Sequence, residues 1–192
     1  MMAVFEGAVR EDAEVIMARY PDAHRRSAVM GLLYLAQSVE GSVTRDALRE
    51  IGVLLGITTA EVEAVASFYT MYRLRPTGTH VTNVCTNLAC KLRGAEAVFE
   101  AAHVAAGVAH GAEMSEDGLF TVHEEECLGV CDVAPAVQID LCNQDTVDPA
   151  RMRELIAGLR AGEVPSPARG PAIDGFKAAS RALAGLHEVP SA

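Results

Sequence analysis

Two pairs of cysteines dominate the chemistry available to this chain: Cys85-Thr86-Asn87-Leu88-Ala89-Cys90 and Cys127-Leu128-Gly129-Val130-Cys131. Four thiolates can close a metal or iron–sulfur site, and two short pairs joined by a long connection bring such ligands from distant parts of a chain. The spacing is C-x4-C, thirty-six residues (91–126), then C-x3-C. Zinc ribbons mostly use tighter C-x2-C knuckles. The looser pairs suit an iron–sulfur cluster at least as well, because two irons and two sulfides are bulkier than one zinc ion. Four thiolates alone would repel one another. A [2Fe–2S] cluster, at a formal charge of about −2 oxidised and about −3 reduced, needs compensating donors. Amides at the start of a helix near Leu88, with Lys91 and Arg93, are candidates. Gly129 lets the backbone approach a sulfide closely and take unusual dihedrals. Glu124, Glu125 and Glu126, if close, lower the reduction potential; otherwise they are a solvated loop edge.

The fifth cysteine, Cys142, has no near partner and reads as a structural thiol. The histidines His24, His80, His103, His110, His123 and His187 form no spaced pair, and His123 reads as a strand-surface residue. No phosphate-cradling glycine loop, G-x-G-x-x-G fingerprint or Ser-His-Asp set is present, so nucleotide binding through those motifs is not expected.

The elements that must position the cysteines change in kind near Pro76. Residues 1–76 read as a helical bundle. Val9, Ala13, Ile16, Met17 and Tyr20 share one face before Pro21, and residues 27–37 form a second helix. Thr44 caps a third helix that closes at Gly56, and Thr58-x-x-Glu61 is a capping box for a fourth. The last two resemble a helix-turn-helix, but residues 60–69 carry no Lys or Arg for a phosphate backbone, so bundle packing is the better reading.

Residues 77–162 alternate strand and helix. Strands are expected at 79–84, 119–124 and 136–141, with a turn at 142–145 that a weak fourth strand follows. One helical stripe runs from 88 to about 104 through Leu92, Ala95, Val98, Phe99 and Ala102, and Asp148 caps a last helix. The order β-α-β-β-(β)-α is the core of a thioredoxin-like fold. The fold class is therefore α+β, a helical bundle followed by a thioredoxin-like α/β domain. A proline such as Pro135 commonly precedes the hairpin strand there, with both isomers of Ala134–Pro135 open. Residues 163–192 are rich in Pro, Ala and Gly. They read as a tail that is loose alone or ordered against a partner, in which residues 174–186 suit one amphipathic helix through Phe176, Leu183 and Leu186.

The bulk composition restricts function. With 16 basic and 26 acidic residues the net charge is −10, which opposes nucleic-acid or anionic-membrane binding. The longest apolar stretch, residues 29–36, is far short of the ~20 needed to span a bilayer. The N-terminus has neither a signal nor a transit pattern. A cytoplasmic setting is expected, where thiols stay reduced and paired cysteines favour metal over disulfides.

Cys85-x4-Cys90, Glu126-Cys127-Leu128-Gly129-x-Cys131, Ala134-Pro135 and the segment Ser67-Phe68-Tyr69-Thr70-Met71-Tyr72 together resemble the small thioredoxin-like [2Fe–2S] subunit, the E subunit, of respiratory NADH–quinone oxidoreductase (complex I). The likeness covers about residues 10–162. It implies that Cys85, Cys90, Cys127 and Cys131 ligate one [2Fe–2S] cluster and that the chain is not catalytic alone. It also implies docking, largely through the helical N-terminal part, on a flavoprotein subunit that holds FMN and the NADH site. Other peripheral-arm subunits would lie beside it, and the membrane would be reached only through partners. The implied role is to hold one electron temporarily and so shorten the life of a reactive flavin radical. The same module occurs in NAD-linked formate dehydrogenases and NAD-reducing hydrogenases. A structural zinc protein and an iron–sulfur sensor are remoter readings.

Overall fold

Threonine side chains start two of the N-terminal helices. Thr44 Oγ1 accepts the Ala47 N–H at 3.2 Å, and Thr58 Oγ1 accepts the Glu61 N–H at 3.2 Å. Glu61 in turn accepts the Thr58 N–H at 2.9 Å, completing the capping box. Each such cap contributes about 1 kcal/mol. The computed structural model describes residues 4–109 and 111–186. His110 and His187, and the end of the expected tail, lie outside the described residues. Two compact units divide the chain: residues 1–76 with 177–192, and residues 77–176.

The first unit holds α1 (Gly7–Met17), a 3-10 segment (Asp22–Ala28), α2 (Val29–Glu40), α3 (Arg45–Leu55) and α4 (Thr59–Phe68). Its core helix is α2, where Leu32, Leu33, Leu35 and Ala36 are all fully buried. That run is apolar on every side, as a central helix must be. α3 ends at Gly56 in the left-handed region (φ +66°), which glycine adopts without strain, and the α3–α4 corner bends by 118°. α1 stops before Tyr20, which is exposed rather than inward, because residues 18–20 turn and Pro21 follows. Residues 22–28 form 3-10 turns where a helix start was expected only at 27.

The helix anticipated within residues 174–186 is present as α8 (Phe176–Leu183), with Ala179, Ser180 and Ala184 buried and Leu183 about half exposed. From Lys177 onward it belongs to the first unit. Gln37, fully buried on α2, donates to Ser180 Oγ and to the Met71 carbonyl, both at 3.1 Å, and accepts the Arg73 N–H at 2.7 Å. Arg19 donates to the Ala184 and Gly185 carbonyls at 2.7 and 2.9 Å, and Arg181 pairs with Asp12 at 2.6 Å. Small and polar contacts hold this helix, which an apolar stripe does not reveal.

The second unit runs β1 (His80–Cys85), α5 (Leu88–Leu92), α6 (Ala95–Ala106), β2 (Phe120–Glu125), β3 (Val137–Ile139), β4 (Cys142–Gln144) and α7 (Pro149–Arg160). The sheet order is β2-β1-β3-β4. β1 pairs parallel to β2 with His80 opposite Phe120 and Cys85 opposite Glu125, and antiparallel to β3 with Val84 opposite Val137. This is the expected thioredoxin-like core. Val98, Phe120, Val122, Ile139, Met152 and Ile156 lie in its apolar centre. α7 starts as read, with Asp148 accepting the Arg151 N–H at 2.7 Å and Pro149 at the first helical position.

Two details differ from expectation. The hairpin turn is Asp140–Leu141, not residues 142–145: Ile139 pairs with Cys142, and both turn residues have positive φ (+49° and +63°), as a two-residue loop on twisted strands requires. The single stripe from 88 to 104 is broken between α5 and α6 by Gly94 at φ +90°, which leaves Leu88 and Leu92 exposed.

The Asp140 turn is anchored back on β1. Its carboxylate accepts the Val81 N–H at 2.8 Å and lies 2.7 Å from His80 Nδ1, with both side chains buried. The hydrogen bond to Asp140 raises the His80 pKa, and burial raises that of Asp140. Both shifts make the folded state hold its protons more tightly than the unfolded chain. The His80 contribution is therefore complete below the unfolded value of ~6.5 and is lost as pH rises through the raised folded value. Tm measured from about pH 6 to about pH 9 is expected to fall more steeply in the wild type than in His80→Gln. Equal slopes would remove His80 from the account.

Candidate metal centre

Cys85 ends β1, and the sheet fixes its backbone: its N–H bonds the Ala136 carbonyl at 3.1 Å, and the next N–H, of Thr86, bonds the Glu125 carbonyl at 3.0 Å. Asn87 then caps α5 by accepting the Leu88 N–H at 2.6 Å, and Cys90 sits in the middle of that short helix. Both cysteines are buried, at 2 % and 1 % exposure, among Ala95, Ala134 and Ala136, with Ala89, Leu128 and Val130 packed around them. The wall beside the two sulfurs is made largely of small side chains.

The second pair lies in the loop that leaves β2. Cys127 and Cys131 are exposed, and Cys131 begins a single 3-10 turn, Cys131–Val133. Gly129 is left-handed (φ +74°), the unusual dihedral anticipated for it, and its N–H donates to Cys127 Sγ at 3.4 Å. Cys85 Sγ donates to the Glu126 carbonyl at 3.6 Å, which ties the first pair to the loop of the second. The Ala134–Pro135 bond that closes the loop is cis.

All five cysteines are free thiols. Burial pushes the Cys90 thiol up, and the neighbouring Cys85 adds to this. The Cys131 thiol is raised first by its hydrogen bond with Cys127 and then by that neighbour's charge, with a further contribution from Cys85. The sulfurs thus interact within each pair and across the pairs, and each raises the cost of ionising the next. A bound cation would reverse that cost, since a coordinating thiol is deprotonated.

Among the described residues, no three Cys, His, Asp or Glu side chains converge as one metal ion demands. The donors come instead as two pairs. A single zinc ion wants four ligands at one point, whereas a binuclear cluster takes two thiolates on each iron. The donor set fits the binuclear group.

The charges around the sulfurs are not all where the sequence suggested. Lys91 is 2.7 Å from Glu96 and is paired there. The Leu88 amide is used by Asn87. Glu124 is hydrogen-bonded to Thr86, next to Cys85, and Glu125 is buried, while Glu126 is exposed. Cys142 is half-buried on β4, opposite Ile139, which pairs with Thr82, three positions along β1 from Cys85. Burial raises its pKa. His123 is half-buried on β2. It lines a cavity of about 630 Å³ with Phe99 and His103, and none of the cysteines lines that space.

Residues 13–160 match the family of thioredoxin-like [2Fe–2S] ferredoxins. The chain belongs to that family. It carries the [2Fe–2S] ferredoxin domain, and its sequence relatives narrow the branch. The E subunit of NADH-quinone oxidoreductase from Mycobacterium tuberculosis is 45% identical over 175 residues, covering 91% of this chain and 68% of the relative. NADH-quinone oxidoreductase subunit 2 of Thermus thermophilus is 43% identical over 151 residues, covering 78% and 83%. This is therefore a ferredoxin of the E-subunit type. An NAD+-reducing [NiFe]-hydrogenase structure has a similar fold, at TM-score 0.58 and 24% identity over 69% of this chain and 23% of that one.

Proposed function

We propose that this chain is the [2Fe–2S] electron-transfer subunit of an NADH–quinone oxidoreductase, exchanging single electrons with FMN on a partner flavoprotein subunit. The observation that carries the reading is the kinship with the E subunit along nine-tenths of the chain, joined to two thiol pairs at one end of the sheet.

In this reading Cys85, Cys90, Cys127 and Cys131 hold the cluster, which supplies one-electron storage when bound. Cys85 and Cys90 grip it from the buried side. Ala134, Ala136 and Leu128 keep water from that side, which strengthens nearby electrostatics. Cys127 and Cys131, being exposed, would hold the cluster on the side open to a partner. The Gly129 N–H, already directed at Cys127 Sγ, would stabilise negative charge on that sulfur. Hydride chemistry lies on the partner, since this chain has no dinucleotide fingerprint. Among the described residues no single helix is long and apolar enough to cross a membrane, in keeping with attachment to the membrane through partner subunits.

The isolated chain is expected not to oxidise NADH and to co-purify with a flavin-bearing subunit. Turnover of NADH by the pure chain would overturn the reading. Recovery of a formate dehydrogenase or hydrogenase flavoprotein would move it to those complexes, toward which the hydrogenase fold likeness points only at the level of fold.

A further inference from the structure

β2 is an edge strand of the sheet, and its outer side is only partly covered. The Ser115 N–H donates to the Phe120 carbonyl and the Val122 N–H to the Glu113 carbonyl, both at 2.9 Å, and among the described residues the cover ends there. On the inner side, the His80 N–H reaches the Leu119 carbonyl at 2.9 Å and the Thr86 N–H the Glu125 carbonyl at 3.0 Å. Odd-numbered residues of β2 thus turn their backbone groups to β1, and even-numbered ones turn theirs outward. The Val122 carbonyl and the Glu124 N–H therefore point away from β1, and no described group bonds them. Beside this open edge lies the cavity of about 630 Å³. Phe99 and Val104 of α6 give it an apolar wall, and Val104 is 71 % exposed. Glu100, Glu113 and Glu124 supply its carboxylates, and among the described residues no Lys or Arg lines it. Glu100 and Glu113 enter no ion pair with a described residue.

We propose that the groove between α6 and the open edge of β2 takes an extended, basic segment of a partner protein, which adds to β2 as a further strand. Three features select that occupant. The outward Val122 carbonyl and Glu124 N–H are the acceptor and donor that an added strand pairs with, and such pairing gives affinity without regard to side chains. An extended segment sends alternate side chains to one face, where Phe99 and Val104 offer an apolar surface. Its other side chains meet carboxylates with no cation beside Glu100 and Glu113, so Lys or Arg at those positions is attracted and Asp or Glu is repelled. Glu124 is also hydrogen-bonded to Thr86, next to Cys85, so the groove runs up to the end of the sheet that carries the cysteines. That the segment belongs to a subunit of the electron-transfer assembly rests on the function proposed above; the groove and its preference for a basic strand do not.

The test titrates the full-length, cluster-loaded chain into a fluorescent, end-blocked peptide, Lys-Val-Arg-Val-Lys, at low salt and follows anisotropy. Its controls are Glu-Val-Glu-Val-Glu and the basic peptide with alternate backbone nitrogens methylated. The basic peptide is expected to bind, the acidic one not, and the methylated one several-fold more weakly, because it cannot make the strand bonds. Glu100→Lys with Glu113→Lys is expected to weaken binding about tenfold or more, the scale of two attractions turned into repulsions, and Val104→Lys several-fold. Exchange of the Glu124 amide, read by mass spectrometry, is expected to slow when the basic peptide is bound. No binding of the basic peptide, equal binding of the acidic one, or wild-type affinity in both variants would overturn the proposal. So would self-association of the chain that Val104→Lys abolishes, which would give the groove to a second copy. Should the double variant lose helical circular dichroism, Val104→Lys decides alone, since that side chain is exposed. A missing visible band in the wild type would strike the electron-carrier reading and leave the peptide result standing.

Discussion

Cys90→Ser is expected to lose the iron–sulfur chromophore, and Cys142→Ser to keep it. Cys90 is buried at 1 % exposure beside Cys85, so a serine there faces the same small apolar wall with a hydroxyl that binds iron poorly. Outer-shell partners alone are worth about 10–100-fold in metal affinity, and a lost ligand costs at least that much. Cys85→Ser, Cys127→Ser and Cys131→Ser are expected to behave alike, with the exposed pair leaving more residual iron. Cys142 lies on β4, away from the four, and its replacement changes a half-buried sulfur only. Iron and sulfide analysis with a visible spectrum reads the result. Full loss of iron in Cys142→Ser, or its full retention in Cys90→Ser, would redraw the ligand set.

Phe120→Ala is expected to unfold the second unit at a far lower temperature. Phe120 is fully buried, stands opposite His80 in the parallel pairing of β1 and β2, and has the Arg160 guanidinium 5.0 Å from its ring centroid. Truncating such a ring costs about 3–5 kcal/mol through lost transfer energy and an unfilled cavity. For a unit of roughly this size that is of order 15 °C in Tm. The cysteines lie at the other end of the same strands, so the cluster spectrum in the cold is expected to stay. A shift of only a few degrees in calorimetry would mean that the core closes over the gap.

What was legible in the sequence was local. The Thr58–Glu61 box, the Asp148-Pro149 helix start and the two cysteine spacings each lie within a few residues, and the structure keeps all of them. The order of strands and helices followed from periodicity, and with it the meeting of both cysteine pairs at one end of the sheet. The misses are places where the deciding partner is distant or the residue type is unusual. Leu141 sits at φ +63°, where few leucines go, so nothing marked the hairpin turn one residue before Cys142. Ala95 continues the stripe of residues 88–92, so only Gly94 could have shown the break. His80 and Asp140 are sixty residues apart. Gln37 and its partner Ser180 are 143 residues apart. Lys91, a candidate by its position to offset charge on the sulfurs, is taken by Glu96 instead. The charge balance around a cluster depends on such pairings, and a count of nearby lysines does not capture it.

The most direct test is the paramagnetic-resonance spectrum of the purified chain after chemical reduction, with iron, sulfide and zinc determined on the same sample. The account predicts about two irons and two sulfides per chain, with one unpaired spin appearing on uptake of one electron. Stoichiometric zinc, no visible band and no signal on reduction would contradict it.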